Sequence, residues 1–238
     1  MQVHAAVDIP QAFVATSGDI TKLWRVLAEP CPVVAATARC QDGLVRQFST
    51  LEALVRYENP RRASITSLEL SARSANHETT AEISLGRRYT TSMTASLRGE
   101  EACISSLRTS LTDVLEGMRP WYSRIATVDL FFVWFPILTV PYLLITILGL
   151  SSPRSSKVEI PFRTAVYLTA VVVGALAAIG FVIWGTWRLR SRFFPVSTFA
   201  IGQGAGRHQR DEQLRWAVIV GFLVSVSASI FSALMLAA

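Results

Sequence analysis

Up to about residue 124 apolar positions recur every second residue or every three to four, and beyond it they merge into long runs. Residues 3–9, closed by Pro10, predict a strand. Ile20, Leu23, Trp24 and Leu27 stand at i, i+3, i+4 and i+7, one face of a helix that Ser17 or Asp19 caps and that Pro30 and Pro32 stop. Residues 33–40 and 44–48 predict a hairpin about Gln41-Asp42-Gly43; Thr50 opens a short helix that Asn59-Pro60 ends. Leu68, Leu70 and Ala72 alternate, with Ile65 out of phase, which predicts a bulge near Thr66-Ser67. Ala81, Ile83 and Leu85 alternate next, followed by Tyr89, Thr91, Met93, Ala95 and Leu97. An antiparallel meander with one wet face gives this pattern. From Glu100 the period becomes helical, with Ile104, Leu107, Leu111, Val114, Leu115 and Met118 in one stripe and Glu100 and Glu101 at the positive end of the dipole.

The later runs cover 128–150, 164–187 and 216–238, and the middle one holds 24 residues without a charge. At about 1.5 Å per residue such a helix matches a hydrocarbon core of about 30 Å. The fold class expected is therefore an α+β N-terminal domain, residues 1–124, followed by an all-α membrane region, 125–238, with three transmembrane helices and an interfacial connector at 188–215. Pro136 and Pro141 should kink the first span. Ala170, Gly174 and Ala178 form a small-residue face in the second, and Ala217, Gly221, Ser225, Ser229, Ala233 and Ala237 a longer one in the third. Small residues at four-residue spacing suit close helix packing. Eight arginines flank one side of the spans (Arg119, Arg124, Arg188, Arg190, Arg192, Arg207, Arg210 and Arg215), and three basic residues flank the other. The expected location is a multi-pass membrane protein with its first domain in the cytoplasm.

Charge changes this picture little. The net charge of +6 is uneven: residues 1–124 carry 14 Lys/Arg against 13 Asp/Glu, and residues 125–238 carry 9 against 4. A basic stripe on the folded domain, the mark of a nucleic-acid binder, is not indicated, so anionic lipid is the partner expected and nucleic acid is not. Cys31, Cys40 and Cys103 form no metal or redox spacing and fit a reducing compartment. No secretory signal is expected.

Candidate chemistry is sparse. Asp129 is the lone Asp, Glu, Lys, Arg or His within the apolar runs, a proton or cation site or, more simply, a carboxylate at a helix start. Gly202, Gly204 and Gly206 before Arg207 could form a backbone nest for phosphate or a lipid head group, with Arg188, Arg190 and Arg192 contributing charge. The alternative is a flexible turn, and G-x-G-x-G without a preceding strand is neither a dinucleotide fingerprint nor a P-loop. His4, His77 and His208 belong to no metal-ligand motif and are expected on the surface. With no catalytic constellation, no enzyme, cofactor or metal is expected. The function expected is a sensor whose first domain recognises a ligand or partner and whose helices self-associate as a homo-oligomer to relay or execute a response. The alternative is an accessory or scaffold subunit bound to another membrane protein.

Overall fold

The computed structural model describes residues 1–76, 78–86, 92–129, 134–137, 139, 140, 143 and 162–237. Two units divide the chain: Met1–Thr127 with Phe193–Ala238, and Val128–Arg192.

In the first unit the alternating segments build a six-stranded antiparallel sheet. Its strands are β1 (Gln2–Ile9), β3 (Val33–Cys40), β4 (Val45–Phe48), β5 (Ile65–Arg73), β6 (Thr80–Leu85) and β7 (Met93–Glu100), in the order β1-β7-β6-β5-β3-β4. The register follows from the pleat: Leu70 lies opposite both Ala36 and Ile83, and Ile83 opposite Ala95, so one face is apolar throughout. Leu68, Leu70, Ile83, Leu85 and Leu97 on that face are wholly buried. The expected irregularity is present, since Arg39 pairs with Ser67 but Cys40 with Ile65, leaving Thr66 as the extra residue of a bulge. Tyr89 and Thr91 of the expected strand lie outside the described residues.

Helices cover the apolar face. In α1 (Ser17–Ala28), Ile20, Leu23 and Leu27 are buried. Its N-cap is Thr16 rather than Ser17 or Asp19; Asp19 takes the third helical position and closes a capping box. Thr50 caps α2 (Leu51–Val55), and α3 (Glu101–Gly117) buries Ile104, Leu107, Leu111 and Leu115. A short α4 (Ser123–Thr127) follows, its Ser123 hydroxyl accepting from Ala12 N at 3.1 Å.

Two strands have no counterpart in the sequence expectations. β2 (Phe13–Thr16) and β8 (Ser197–Ala200) pair in parallel, with Phe13 opposite Ser197 and Thr16 opposite Ala200. Phe13 and Phe199 meet edge to face at 5.6 Å and belong to the main core. After β8, a turn at Ile201-Gly202 leads into α6 (Gln203–Ala237), whose first half packs on β8. Large apolar side chains from Trp216 to Val226 along α6 are exposed.

The second unit contains α5 (Phe162–Phe193). Within it the Arg188 guanidinium lies over the Trp184 ring at 5.5 Å, and Trp184 meets Phe181 at 5.9 Å.

The expected all-α membrane region of three transmembrane helices, and with it the multi-pass membrane location, is corrected. Among the described residues no helix is long and apolar enough to cross a membrane. Most of the expected first span, including Pro141, and most of the loop after it lie outside the described residues. The other two runs are parts of longer helices with charged ends. Arg188, Arg190 and Arg192 lie inside α5, and α6 opens with thirteen residues that include Arg207, Arg210, Asp211, Glu212 and Arg215. Counting apolar residues along the chain missed that these polar turns belong to the same helices. In α6 they are held against a sheet.

Candidate functional site

The segment 193–215 carries the densest polar chemistry in the first unit. It reaches the sheet domain because three residues allow backbones to approach closely. Asn59 is buried and has φ of 49°, a left-handed conformation that asparagine tolerates better than most side chains. Its Nδ2 donates to Phe199 O at 3.0 Å, and its Oδ1 accepts from Ile65 N at 2.8 Å. Its own carbonyl accepts from Arg207 Nη2 at 2.7 Å. One side chain and one carbonyl thus tie β5, β8 and α6 together. Gly202, with φ of 50°, faces Glu58 so closely that an added Cβ would stand 2.6 Å from its carbonyl oxygen. At Gly204 a Cβ would collide with the Phe199 carbonyl and stand 2.7 Å from Asn59 Nδ2. Gln203 N completes the seam by donating to Glu58 O at 2.7 Å.

Between these elements lies a cavity of about 230 Å³. The loop after Asn59 contributes Arg61 and Ser64, the β8 segment Ser197 and Thr198, and α6 the one-face series Gly204, Arg207, His208, Asp211 and Arg215. Arginines 61, 207 and 215 outnumber the carboxylate of Asp211, so the lining favours an anion.

Arg215 is the decisive residue. It is 2% exposed, and no carboxylate among the described residues is paired with it. Its guanidinium carbon stacks 4.4 Å above the centre of the Tyr122 ring, while Nε and Nη1 meet no hydrogen-bond acceptor among the described residues. A desolvated cation–π contact contributes about 2 kcal/mol. Burying an unpaired ion costs several kcal/mol. Stacking alone therefore does not offset the burial. Among the described residues Thr198 Oγ1 and His208 Nδ1, which line the same cavity, are also buried without a partner of good geometry, and Tyr122 Oη lies near Thr198 and Arg215. An oxyanion in the cavity would give the Arg215 guanidinium the acceptor it lacks.

Burial and the Arg215 charge together define the titrating groups. Burial pushes the Tyr122 hydroxyl above its ordinary value, and Arg215 pulls it partly back. Burial pushes the His208 imidazole below its ordinary value, assisted by Arg215 and opposed by Glu212 and Asp211. Glu212 lies 3.8 Å from His208 Nε2.

Of the residues singled out in the sequence, Gly204 and Arg207 line this cavity and Gly202 packs behind it. Gly202 and Gly204 serve close packing there, and the Gly204 amide donates to Ile201 O at 2.8 Å. Gly206 faces open space. Arg188, Arg190 and Arg192 belong to α5 of the other unit. Asp129 is an exposed residue outside any helix. Gly174, Ala178, Ala217, Gly221, Ser225 and Ser229 are exposed; nothing among the described residues stands within 4 Å of a Cβ added at Gly174 or Gly221. The side chains of Ala170, Ala233 and Ala237 lie outside the described residues, as does His77. Sequence reasoning missed Asn59, Tyr122, Thr198, His208 and Arg215 as a group. The one local signal was Arg207, His208, Asp211 and Arg215 at helical spacing, which a solvated face also produces. Comparison with protein-family models, curated proteins and solved structures finds no match.

Proposed function

We propose that the first unit is a recognition module for a small tetrahedral oxyanion, phosphate or a terminal phosphoryl group, bound between β8, the loop after Asn59 and the first turns of α6. The observation that carries this reading is the buried Arg215, whose Nε and Nη1 lack acceptors among the described residues, in a cavity that Thr198 and His208 also line. Donors on a strand and on two levels of a helix suit a tetrahedral group better than a planar carboxylate, which offers two oxygens in one plane. At about 230 Å³ the cavity is smaller than the usual range of about 300–1,000 Å³ for whole small-molecule ligands. It therefore suits the head of a ligand, with the remainder outside. The role proposed is binding, which rests on the charge clamp of Arg61, Arg207 and Arg215.

Calorimetric titration of the full chain tests this. Inorganic phosphate and sulfate should bind, acetate should bind at least tenfold more weakly, and Arg215→Met should abolish the heat. Equal affinity for acetate, or unchanged phosphate binding in the variant, would overturn the assignment.

A further inference from the structure

Independently of the anion cavity, the sheet has two very different edges. β4 is four residues long, lies beside the bulged stretch of β3 and β5, and carries the Arg46–Asp42 ion pair at 2.7 Å. Such an edge is short and charged, the usual protection against further pairing. β1 has none of this. Eight consecutive residues pair with β7 without a bulge, no proline or basic Lys/Arg interrupts them, and no strand among the described residues pairs with the other side of β1. Val3, Ala5, Val7 and Ile9 face the core side half-buried, while Gln2, His4, Ala6 and Asp8 are exposed on the wet face.

We infer that β1 is the site where a second copy of this chain adds its own β1, antiparallel, so that two six-stranded sheets run on as one. The strand's own sequence selects the occupant. Side chains directly opposite each other in an antiparallel pair share a face, so the two-fold axis must pass through a residue if wet face is to meet wet face. With the axis at Ala6, His4 of each copy stands opposite Asp8 of the other, Ala5 opposite Val7, and Val3 opposite Ile9. His4 and Asp8 then form two symmetric cross-strand pairs of imidazole and carboxylate. His4 Nε2 lies 3.2 Å from Ser96 Oγ on the same sheet, which leaves Nδ1 for the partner across the edge. Moving the axis to Ala5 or Val7 places His4 opposite Ala6 or Pro10 and loses both pairs. The register with the charge pairs also puts alanine, the smallest side chain of the row, against itself at the axis. A closed, isologous interface of this kind ends at two copies.

Disulfide trapping in the full chain reads the register directly. In a Cys103→Ser background, Ala6→Cys places two thiols opposite each other within the span a disulfide bridges. Mild oxidation should convert this variant to a covalent dimer at least tenfold faster than Gln47→Cys on the exposed β4 edge. Asp8→Cys alone should behave like the Gln47 control, and Asp8→Cys with His4→Cys should cross-link. Light scattering of the unmodified chain should give twice the chain mass. His4→Asp should shift it towards the monomer, and His4→Asp with Asp8→His should restore the dimer. His4, Ala6, Asp8 and Gln47 are exposed and Cys103 is half-buried, and circular dichroism checks that each variant is folded. A monomeric mass, or equal trapping at Ala6→Cys, Asp8→Cys and Gln47→Cys, would overturn the inference.

Discussion

At the scale of single residues, three polar side chains of the first unit stand out, Asn59 for one reason and Arg215 and His208 for the opposite one. Asn59 is fully satisfied, its side chain bonding a strand amide on one side and a strand carbonyl on the other. Removing it strands both groups, each at about 1–3 kcal/mol. Asn59→Ala should therefore lower stability by about 2–4 kcal/mol in urea titration. A loss under about 0.5 kcal/mol, the range of ordinary surface changes, would show that α6 is held by other contacts. Arg215 is the reverse, buried with two donors unmet among the described residues, and His208 is half-buried with Nδ1 unpartnered there. Because the folded state holds His208 below its ordinary value of 6.5, the unfolded chain binds the proton first as pH falls. The stability contributed by neutral His208 is complete above that value and is lost as pH falls from it towards the depressed folded one. His208→Gln should flatten this slope. An anion in the cavity would favour the imidazolium against the nearby Arg215, beside Arg61 and Arg207. Sulfate, whose own charge is constant here, should then bind more tightly as pH falls through the same window. Sulfate affinity independent of pH would remove His208 from the site. None of this was legible beforehand, because burial of an arginine or histidine is decided by what packs over it. Along the chain Arg215 looked like a flank and His208 like a surface residue.

At the scale of elements, legibility followed periodicity. Strands that alternate over six or more residues, and helices with a full apolar stripe, were readable down to the bulge at Thr66. β2 and β8 were not. Each has four residues, Phe-Val-Ala-Thr and Ser-Thr-Phe-Ala, with no clean alternation, and each pairs with a segment at the far end of the chain. A parallel pair of that kind leaves no hairpin signal. The glycines after β8 were noticed but read as a flexible turn or an anion nest. Their use is steric in two cases of three. Gly202→Ala and Gly204→Ala should each destabilise the fold by more than about 1 kcal/mol, since a methyl group meets backbone at both positions. Gly206→Ala, with open space around it inside a helix, should stabilise by about 0.5–1 kcal/mol. Thermal denaturation of the three variants separates packing from flexibility, and three equal effects would contradict the distinction.

At the scale of the whole molecule, the wet and dry faces of the sheet could be read from residue types alone, and the covering helices with them. The long apolar runs misled. A hydropathy window registers composition over twenty residues but not the tertiary attachment of the next ten. The charged opening of α6 is attached to β8 and the Asn59 loop through Gln203, Gly204 and Arg207. The consequence for function is that α6 is one wall of a charged cavity, and the cavity's occupant should decide how firmly that wall is held. A ligand at a hundred times its dissociation constant stabilises by about 2.7 kcal/mol. For a chain of this size each kcal/mol raises Tm by about 2–4 °C.

The most direct measurement is the melting temperature of the full chain and of Arg215→Met, each with and without saturating phosphate. The unmodified chain should gain about 5–10 °C on phosphate addition. Arg215→Met should gain nothing, and without phosphate it should melt no lower than the unmodified chain, because the substitution removes a buried unpaired charge and keeps the apolar stem. An Arg215→Met chain that melts well below the unmodified one without phosphate, together with no response of the unmodified chain to phosphate, would contradict an anion clamp and make Arg215 a purely structural side chain.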